Sequence, residues 1–430
     1  MSLPKADEWN DPGSMDPIPG RRRHPLFRVS LFFLIGLAIV FAWTRVSLVR
    51  LPDIGTPFDL AKKGKVELPF EENAYTYYRA AISKLVANRP GSSIGKAYSW
   101  NSVNQNDRDW FFANLDALKV WYTGTTMERA LFVEPNEQTW DASSLAQVQR
   151  MRAFPTLARI AAMRMESQGD FGEAWAFYRA VLRSSRHVAM YGSFIERLIA
   201  VSMYQSITNN IYAWSDHPNL NIDQLKKSLD DIYLIDAMGP SLRENLEAEY
   251  FGLSKLLDTP NLTTWKIDEV IKGVARQSPP SFLERADEVS WKYLLREPER
   301  SKRVLSLCWA NWLSVADLSL SDRAKLGHKF FVGTFYDPPA DAPESAKKLS
   351  PEQLKGWVES TRYCELMLAG RQSLEQALVQ EQKTRASLLI HIAERLYARE
   401  HGSLPEKTEQ LIGPYLKAMP DGYVPVASQP

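Results

Sequence analysis

The chain has 430 residues, of which 45% are hydrophobic and 24% charged; this is a globular composition and excludes a disordered or low-complexity protein. Its 52 basic and 51 acidic residues leave a formal net charge of +1, without the basic surplus that a nucleic-acid footprint needs.

In chain order, residues 1–24 are rich in Pro, Asp and Gly and end in Arg21, Arg22, Arg23 and His24, the pattern of a disordered tail with a basic stop. Val29–Trp43 then runs without a charge and holds ten Leu, Ile, Phe or Val residues, together worth roughly −3 to −6 kcal/mol of insertion free energy at helix-centre values. Extended to Thr44 the charge-free run is 16 residues, shorter at ~1.5 Å per residue than a ~30 Å hydrocarbon core. Snorkelling of Arg28 and Arg45 lengthens the usable span to Leu26–Val49 and sets Trp43 at an interface. A transmembrane anchor is therefore expected over 25–49. Arg21, Arg22, Arg23 and Arg28 precede it, and Arg45, Arg50, Lys62 and Lys63 follow. The compact N-side cluster favours N-in, C-out, with the main domain on the periplasmic side. The competing reading is a cleaved signal peptide with its small-residue site at Val40-Phe41-Ala42, for which the basic region is unusually long.

Beyond a linker over 50–70, apolar residues recur at three- and four-residue spacing and alternating strand patterns are scarce. The spacing predicts helices over Glu71–Ala87, Asn106–Tyr122, Thr126–Phe132, Ser144–Ser167 (kinked at Pro155), Phe171–Ser215 (broken near Gly192), Asp223–Ala237 and Ser241–Leu257. Further helices are expected over Phe282–Arg296, Pro298–Leu326, Pro351–Ala369, Leu374–His401 and Lys407–Leu416. Capping boxes are read at Thr125/Glu128, Ser144/Gln147, Ser241/Glu244, Ser281/Glu284, Ser350/Gln353 and Ser373/Gln376, each able to satisfy two orphan amides at a helix start. The expected fold is all-α: a single transmembrane helix, then an irregular array of helical hairpins. Its divisions are a helical domain over 71–336, a Pro-rich loop over 337–350 and a C-terminal helical module over 351–430. QGDFGEAWAFYRAVL has the look of a tetratricopeptide hairpin, but no 34-residue period repeats it.

Chemistry is harder to find. PGSSIGKA around Gly91, Gly95 and Lys96 is one residue short of a phosphate loop, and Ala97 stands where Ser or Thr should bind magnesium. Ser93/Lys96 and Ser345/Lys348 match S-x-x-K without its companion motifs, and G-x-S-x-G is absent. Six histidines, His24, His187, His217, His328, His391 and His401, form neither H-E-x-x-H nor Glu-x-x-His. Cys308 and Cys364 sit in apolar helical stretches (LSLCWANWL and TRYCELML) and read as buried free thiols; a disulfide is the alternative outside the cytoplasm. Carboxylates cluster at Asp230/Asp231/Asp236 and Glu244/Glu247/Glu249; a helical glycosidase would use two such acids in an aromatic-lined cleft, but acids on helices are more often a solvated face. Asn261-Leu262-Thr263 is a glycosylation sequon, meaningful in a eukaryotic source. No residue is assigned a catalytic, cofactor-binding or metal-binding role, and no cofactor is expected.

Three stretches carry a resemblance: LPFEENAYTYYRAA (Leu68–Ala81), QGDFGEAWAFYRAVLRSSRHV (Gln168–Val188) and ERLYAREHGSLPEKTEQLIGPYLKAMP (Glu394–Pro420). In order and motif the chain resembles a group of uncharacterised, membrane-anchored helical proteins of planctomycete-type bacteria, which brings no activity with it. The last stretch also resembles the module after the long helix of type II secretion pseudopilins, with Tyr397, Gly402, Pro405, Leu411, Tyr415, Leu416 and Pro420 at the recurring positions. The prepilin cleavage pattern is missing, so the likeness implies at most a shared structural module. The expectation is a single-pass bacterial envelope protein that binds or scaffolds, with the membrane and an envelope protein as partners and no nucleic acid. A helical hydrolase of envelope polysaccharide and an accessory of a secretion apparatus are the alternatives.

Overall fold

The computed structural model describes residues 25–86, 99–138, 142–259, 262–272, 278–290, 292, 296–319, 322, 325, 340–368 and 371–423. The N-terminal tail, PGSSIGKA with Ser93 and Lys96, His328, Asn261 of the sequon and the 337–339 part of the Pro-rich loop lie outside them. The described residues contain no strand, as the helical periodicity predicts; two isolated bridges join Asn73 to Arg129 and Ile412 to Leu416.

Helix α1 spans Pro25–Arg50, α2 Leu60–Lys63, α3 Ala74–Lys84, α4 Gln105–Ala113, α5 Leu115–Thr125, α6 Ala142–Met151, α7 Ala153–Ser167, α8 Phe171–Ala189 and α9 Phe194–Ser215. Then come α10 Ile222–Ala237, α11 Leu242–Asp258, α12 Thr264–Lys272, α13 Phe282–Val289, α14 Glu297–Leu313, α15 Glu344–Lys347, α16 Pro351–Ser360, α17 Arg362–Leu368 and α18 Arg371–His401. Starts are set by local chemistry. Ser281/Glu284 and Ser350/Gln353 form reciprocal capping boxes as expected, and Ser241 accepts from the Glu244 amide at 3.2 Å. Ser193/Glu196 and Asn221/Gln224 form boxes that the sequence reading passed over.

Several expected elements differ. Thr126–Phe132 is not a helix: the Asn73 carboxamide accepts the Leu131 amide at 2.9 Å and donates to the Leu131 carbonyl at 3.0 Å, holding this stretch extended beside α3. Thr125 caps nothing; its hydroxyl turns back to the Tyr122 carbonyl at 2.7 Å at the end of α5. Ser144 and Ser373 lie inside α6 and α18 rather than ahead of them. The break near Pro155 falls at Arg152, which leaves the proline in the first turn of α7, where its missing N–H costs no bond. Lys407–Leu416 folds as a 3-10 turn over Thr408–Leu411 followed by the Ile412–Leu416 bridge; the seven residues after Pro405 and before Gly413 are too few for a stable α-helix. Helices α2, α12 and α15 were not anticipated, and the single helix expected over Asn106–Tyr122 is broken at Asn114 into α4 and α5.

The helices enclose two apolar cores. The first gathers α3, α5, α7, α8, α9 and α10 with the C-terminal half of α18, and the second gathers α11, α12, α14, α16 and α17 with Leu374 of α18. Helices α7 and α8 form the hairpin that QGDFGEAWAFYRAVL suggests, turning at Gly169 (φ +83°) with Asp170 capping α8. The α8–α9 turn joins the two cores. Tyr191 sits there at φ +54°, a strained value for a bulky residue. Three hydrogen bonds hold it: Asn245 of α11 donates to the Ala189 and Gly192 carbonyls at 2.9 and 2.8 Å, and Arg129 donates to the Tyr191 hydroxyl at 2.7 Å.

Among the described residues, helix α1 is docked at its C-terminal end. Leu48 and Leu51 are buried, and Arg303 of α14 donates to both their carbonyls at 3.1 Å, satisfying orphan acceptors of the helix end with a cation of the favourable sign. Upstream, Val29, Phe32, Phe33, Leu34, Ile39 and Trp43 are all more than 60% exposed. Among the described residues no helix is long and apolar enough to cross a membrane by itself.

Candidate ligand site

The α8–α9 turn brings Arg186, near the end of α8, and Arg197, in the first turns of α9, to one side of the fold. Glu381 of α18 bridges them: it pairs with Arg186, and its other oxygen accepts from Arg197 at 2.9 Å. Arg186 also donates to Asp236, in the last turn of α10, at 2.9 Å, and Arg385, one turn beyond Glu381, places Nε 3.0 Å from the same Asp236 oxygen. Three guanidinium groups thus share two carboxylates. Arg186 and Glu381 are only 1% and 2% exposed, so this excess positive charge lies largely out of water.

Electrostatics follow from that arrangement. Burial pushes the Glu381 carboxyl up, but Arg197, Arg186 and Arg385 together outweigh it and hold the group at about 2. Burial pulls Arg197 below the usual guanidinium value against the attraction of Glu381. The Arg186 guanidinium packs over the Tyr204 ring at 4.8 Å, and burial holds the Tyr204 hydroxyl well above the ordinary range.

One face of the cluster opens into a cavity of about 540 Å³ between α10, α18 and residues 417–421. Its charged wall is Arg197, Arg385 and Lys417 with Asp236, Glu381 and Asp421; its apolar wall includes Leu242, Leu378, Leu389 and Met419. The chain after α18 closes it. Gly422 at φ +86° lets the tail cross α18 so closely that a Cβ there would meet Gln382 Cγ at 3.0 Å and its backbone carbon at 3.2 Å. Tyr423 then hydrogen-bonds Thr408 at 2.9 Å. Donor capacity is left over. Arg385 Nε is within ion-pair distance of Asp236 but off the N–H axis, and the buried Nε of Arg197 has no hydrogen-bond partner. The buried Tyr233 hydroxyl faces the Lys417 backbone without reaching hydrogen-bond geometry. A buried donor without an acceptor carries a desolvation cost of about 1–3 kcal/mol.

Proton-transfer chemistry does not suit this cavity. Asp236 and Glu381 are held by arginines, and Glu381 at about 2 is an ionised group with no proton to give at neutral pH. The other carboxylates singled out in the sequence are dispersed. Asp231 accepts from Trp175 at 2.8 Å, Asp230 is exposed, Glu247 pairs with Lys63 at 3.2 Å, and Glu249 accepts from the Phe194 amide at the start of α9 at 3.1 Å. Glu166 and Glu297 are pushed up to about 7 by burial, but each is spent on structural hydrogen bonds, to Tyr178 and to the Tyr363 amide.

Among the described residues no group of three His, Cys, Asp or Glu could hold a metal ion. Burial first, then Arg183, pulls His187 down to about 3; the ring bonds Tyr78 at 2.6 Å. His217 accepts from the Asn219 amide at 3.3 Å, His391 bonds Asp216 at 3.1 Å, and His401 stacks on Tyr397. Cys308 and Cys364 are buried free thiols in the second core. The sequence reading passed over the arginine cluster because its members lie far apart in the chain and no local spacing links them. The one available signal was a pair of charged residues, Glu381 and Arg385, one turn apart on the side of a long helix that also carries Leu374, Leu388 and Ile392. No protein-family model, no curated protein and no solved structure matches the sequence.

Proposed function

We propose that the chain is a single-pass, membrane-anchored binding protein of the bacterial envelope, with its helical domain on the periplasmic side. Its cavity takes a small anion that carries an apolar body. The observation that carries this reading is the cavity itself, where Arg197, Arg385 and Lys417 stand among Asp236, Glu381 and Asp421 against an apolar wall, and where Arg186 behind Glu381 leaves both inner carboxylates already paired. An ionised carboxylate or phosphate pairs with the lining cations Arg385 and Lys417, while its hydrocarbon part covers Leu378, Leu389 and Met419. Anchoring rests on α1. A described apolar run over 29–43, about 22 Å long at 1.5 Å per residue, is left uncovered by the domain. Arginines flank it at 28 and 45. Arg45, whose guanidinium lies 4.7 Å from the Phe41 centroid, turns outward to the headgroups on insertion, which lengthens the span.

The test is calorimetric titration of the full-length protein, held in lipid nanodiscs, with hexanoate and separately with hexylammonium. Hexanoate should saturate one site and hexylammonium should not bind. Arg385→Gln should weaken hexanoate by roughly 10-fold or more, the effect of one charge-assisted hydrogen bond. Absence of hexanoate binding, or equal binding of the two chains, would overturn the ligand assignment.

A further inference from the structure

A second cleft, of about 550 Å³, lies between the last two turns of α1 and the α15–α16 segment. Trp43, Val46 and Arg50 fall at i, i+3 and i+7 on one face of α1 and form one wall. Lys348, Gln353 and Trp357 form the other. Arg50 and Lys348 are both exposed, and neither makes an ion pair with a described residue. The two walls cannot drift apart freely, because Arg303 ties the Leu48 and Leu51 carbonyls to α14 while Leu349 packs into the second core.

We infer that this cleft holds the headgroup of an anionic phospholipid in the leaflet through which α1 leaves the membrane. The inference rests on α1 being the anchor, and it concerns a site separate from the arginine cavity. Three features fit that occupant. From Trp43 to Arg50 the helix rises about 10 Å, comparable with the polar layer on one side of a bilayer, roughly 5–8 Å thick. Trp43 and Trp357 are the residue type that favours this depth, where the ring meets acyl chains and the indole N–H meets water. Arg50 stands two turns beyond Trp43 on α1, at the level of the phosphate, and Lys348 meets it from the other wall of the cleft. Gln353 adds a neutral donor suited to a glycerol or sugar hydroxyl. The cleft opens beside α1 itself, so a lipid enters sideways with its acyl chains alongside the exposed Ile39 and Val40.

The test uses the full-length protein in detergent, titrated with phosphatidylglycerol, phosphatidylcholine or inorganic phosphate and read by native mass spectrometry of bound adducts. Phosphatidylglycerol should bind at one saturable site, at least tenfold tighter than phosphatidylcholine. The Arg50→Gln/Lys348→Gln double variant should lose roughly 30-fold, about fivefold for each cation. The single variant Gln353→Ala, in which both cations are retained, should change affinity by less and guards against misfolding of the double variant. Equal binding of the two lipids, or phosphatidylglycerol binding untouched in the double variant, would overturn the site. Inorganic phosphate competing at the lipid's own affinity would show a free-phosphate site and overturn the lipid assignment. Flotation of the same preparation with phosphatidylcholine vesicles reads the anchor independently. Protein that floats but shows no lipid selectivity refutes the cleft alone, whereas protein that stays at the bottom refutes the anchor.

Discussion

Replacement of Glu381 by Gln should destabilise the fold and at the same time tighten its hold on anions. Glu381 is 2% exposed and serves both Arg186 and Arg197. A carboxyl held at about 2 instead of 4.5 corresponds to about 3 kcal/mol of stabilisation at neutral pH, at ~1.36 kcal/mol per unit. Removal of one partner from a buried ionic group costs about 3–5 kcal/mol by a separate measure, because the other charges stay behind. The two routes agree on about 3 kcal/mol or a little more. The folded value is depressed, so this stability is fully present above the unfolded value near 4.5 and is lost as pH falls toward 2. His187, held near 3 by burial, adds an acid-side loss of its own below pH ~6.5, as the unfolded imidazole protonates first. That loss is common to both proteins and cancels in their difference. The assay is urea unfolding of wild type and Glu381→Gln in the same detergent at pH 7, 5 and 3. The gap should be about 3 kcal/mol at pH 7 and 5 and should narrow at pH 3, while hexanoate binds the variant more tightly. Equal midpoints at pH 7, or a gap that widens toward pH 3, would refute the electrostatic reasoning.

Gly124→Ala places a Cβ 2.8 Å from Tyr78 Cε1 and 2.9 Å from Tyr77 Cβ at the α3–α5 crossing; the clash should outweigh the helix-propensity gain and lower stability by about 1 kcal/mol in urea melts. Gly356→Ala, in the exposed face of α16 with nothing within 4 Å of the new Cβ, should raise it by a similar ~1 kcal/mol. Gly402→Ala should cost about 1 kcal/mol, because its φ is +78° although the space around it is open. Truncation after His401 should cost several kcal/mol, since it removes the fully buried Leu411 and Leu416; a truncated domain that melts with wild type while losing a membrane partner would favour a docking role for this tail.

How much of this was legible follows from which forces act locally. Ser350-Pro351 with Gln353 three residues on marks a helix start by itself, and Gly402 before Pro405 marks a stop; both behave as read. The apolar series Leu374, Leu388, Ile392 and Leu396 faces inward, while Ala377 and Leu378 at the same helical spacing are half-buried. It could not reveal that Leu374 enters one core and the other three another, because a single helix long enough to serve two cores leaves no trace in its own spacing. Thr126–Phe132 failed for a tertiary reason. Its helical spacing is overridden by the Asn73 carboxamide, more than fifty residues away. The arginine cavity was hidden in the same way, since Arg186, Arg197, Asp236 and Glu381 meet only after α8, α9, α10 and α18 pack.

The location of the protein depends on whether α1 stays in the chain as an anchor. Carbonate extraction of membranes from cells producing the full-length chain tests this directly, with the N-terminus of the recovered protein sequenced. The protein should remain in the pellet with the 25–49 segment intact. Release into the supernatant of a shortened form beginning near Trp43 would contradict it and identify the segment as a cleaved signal.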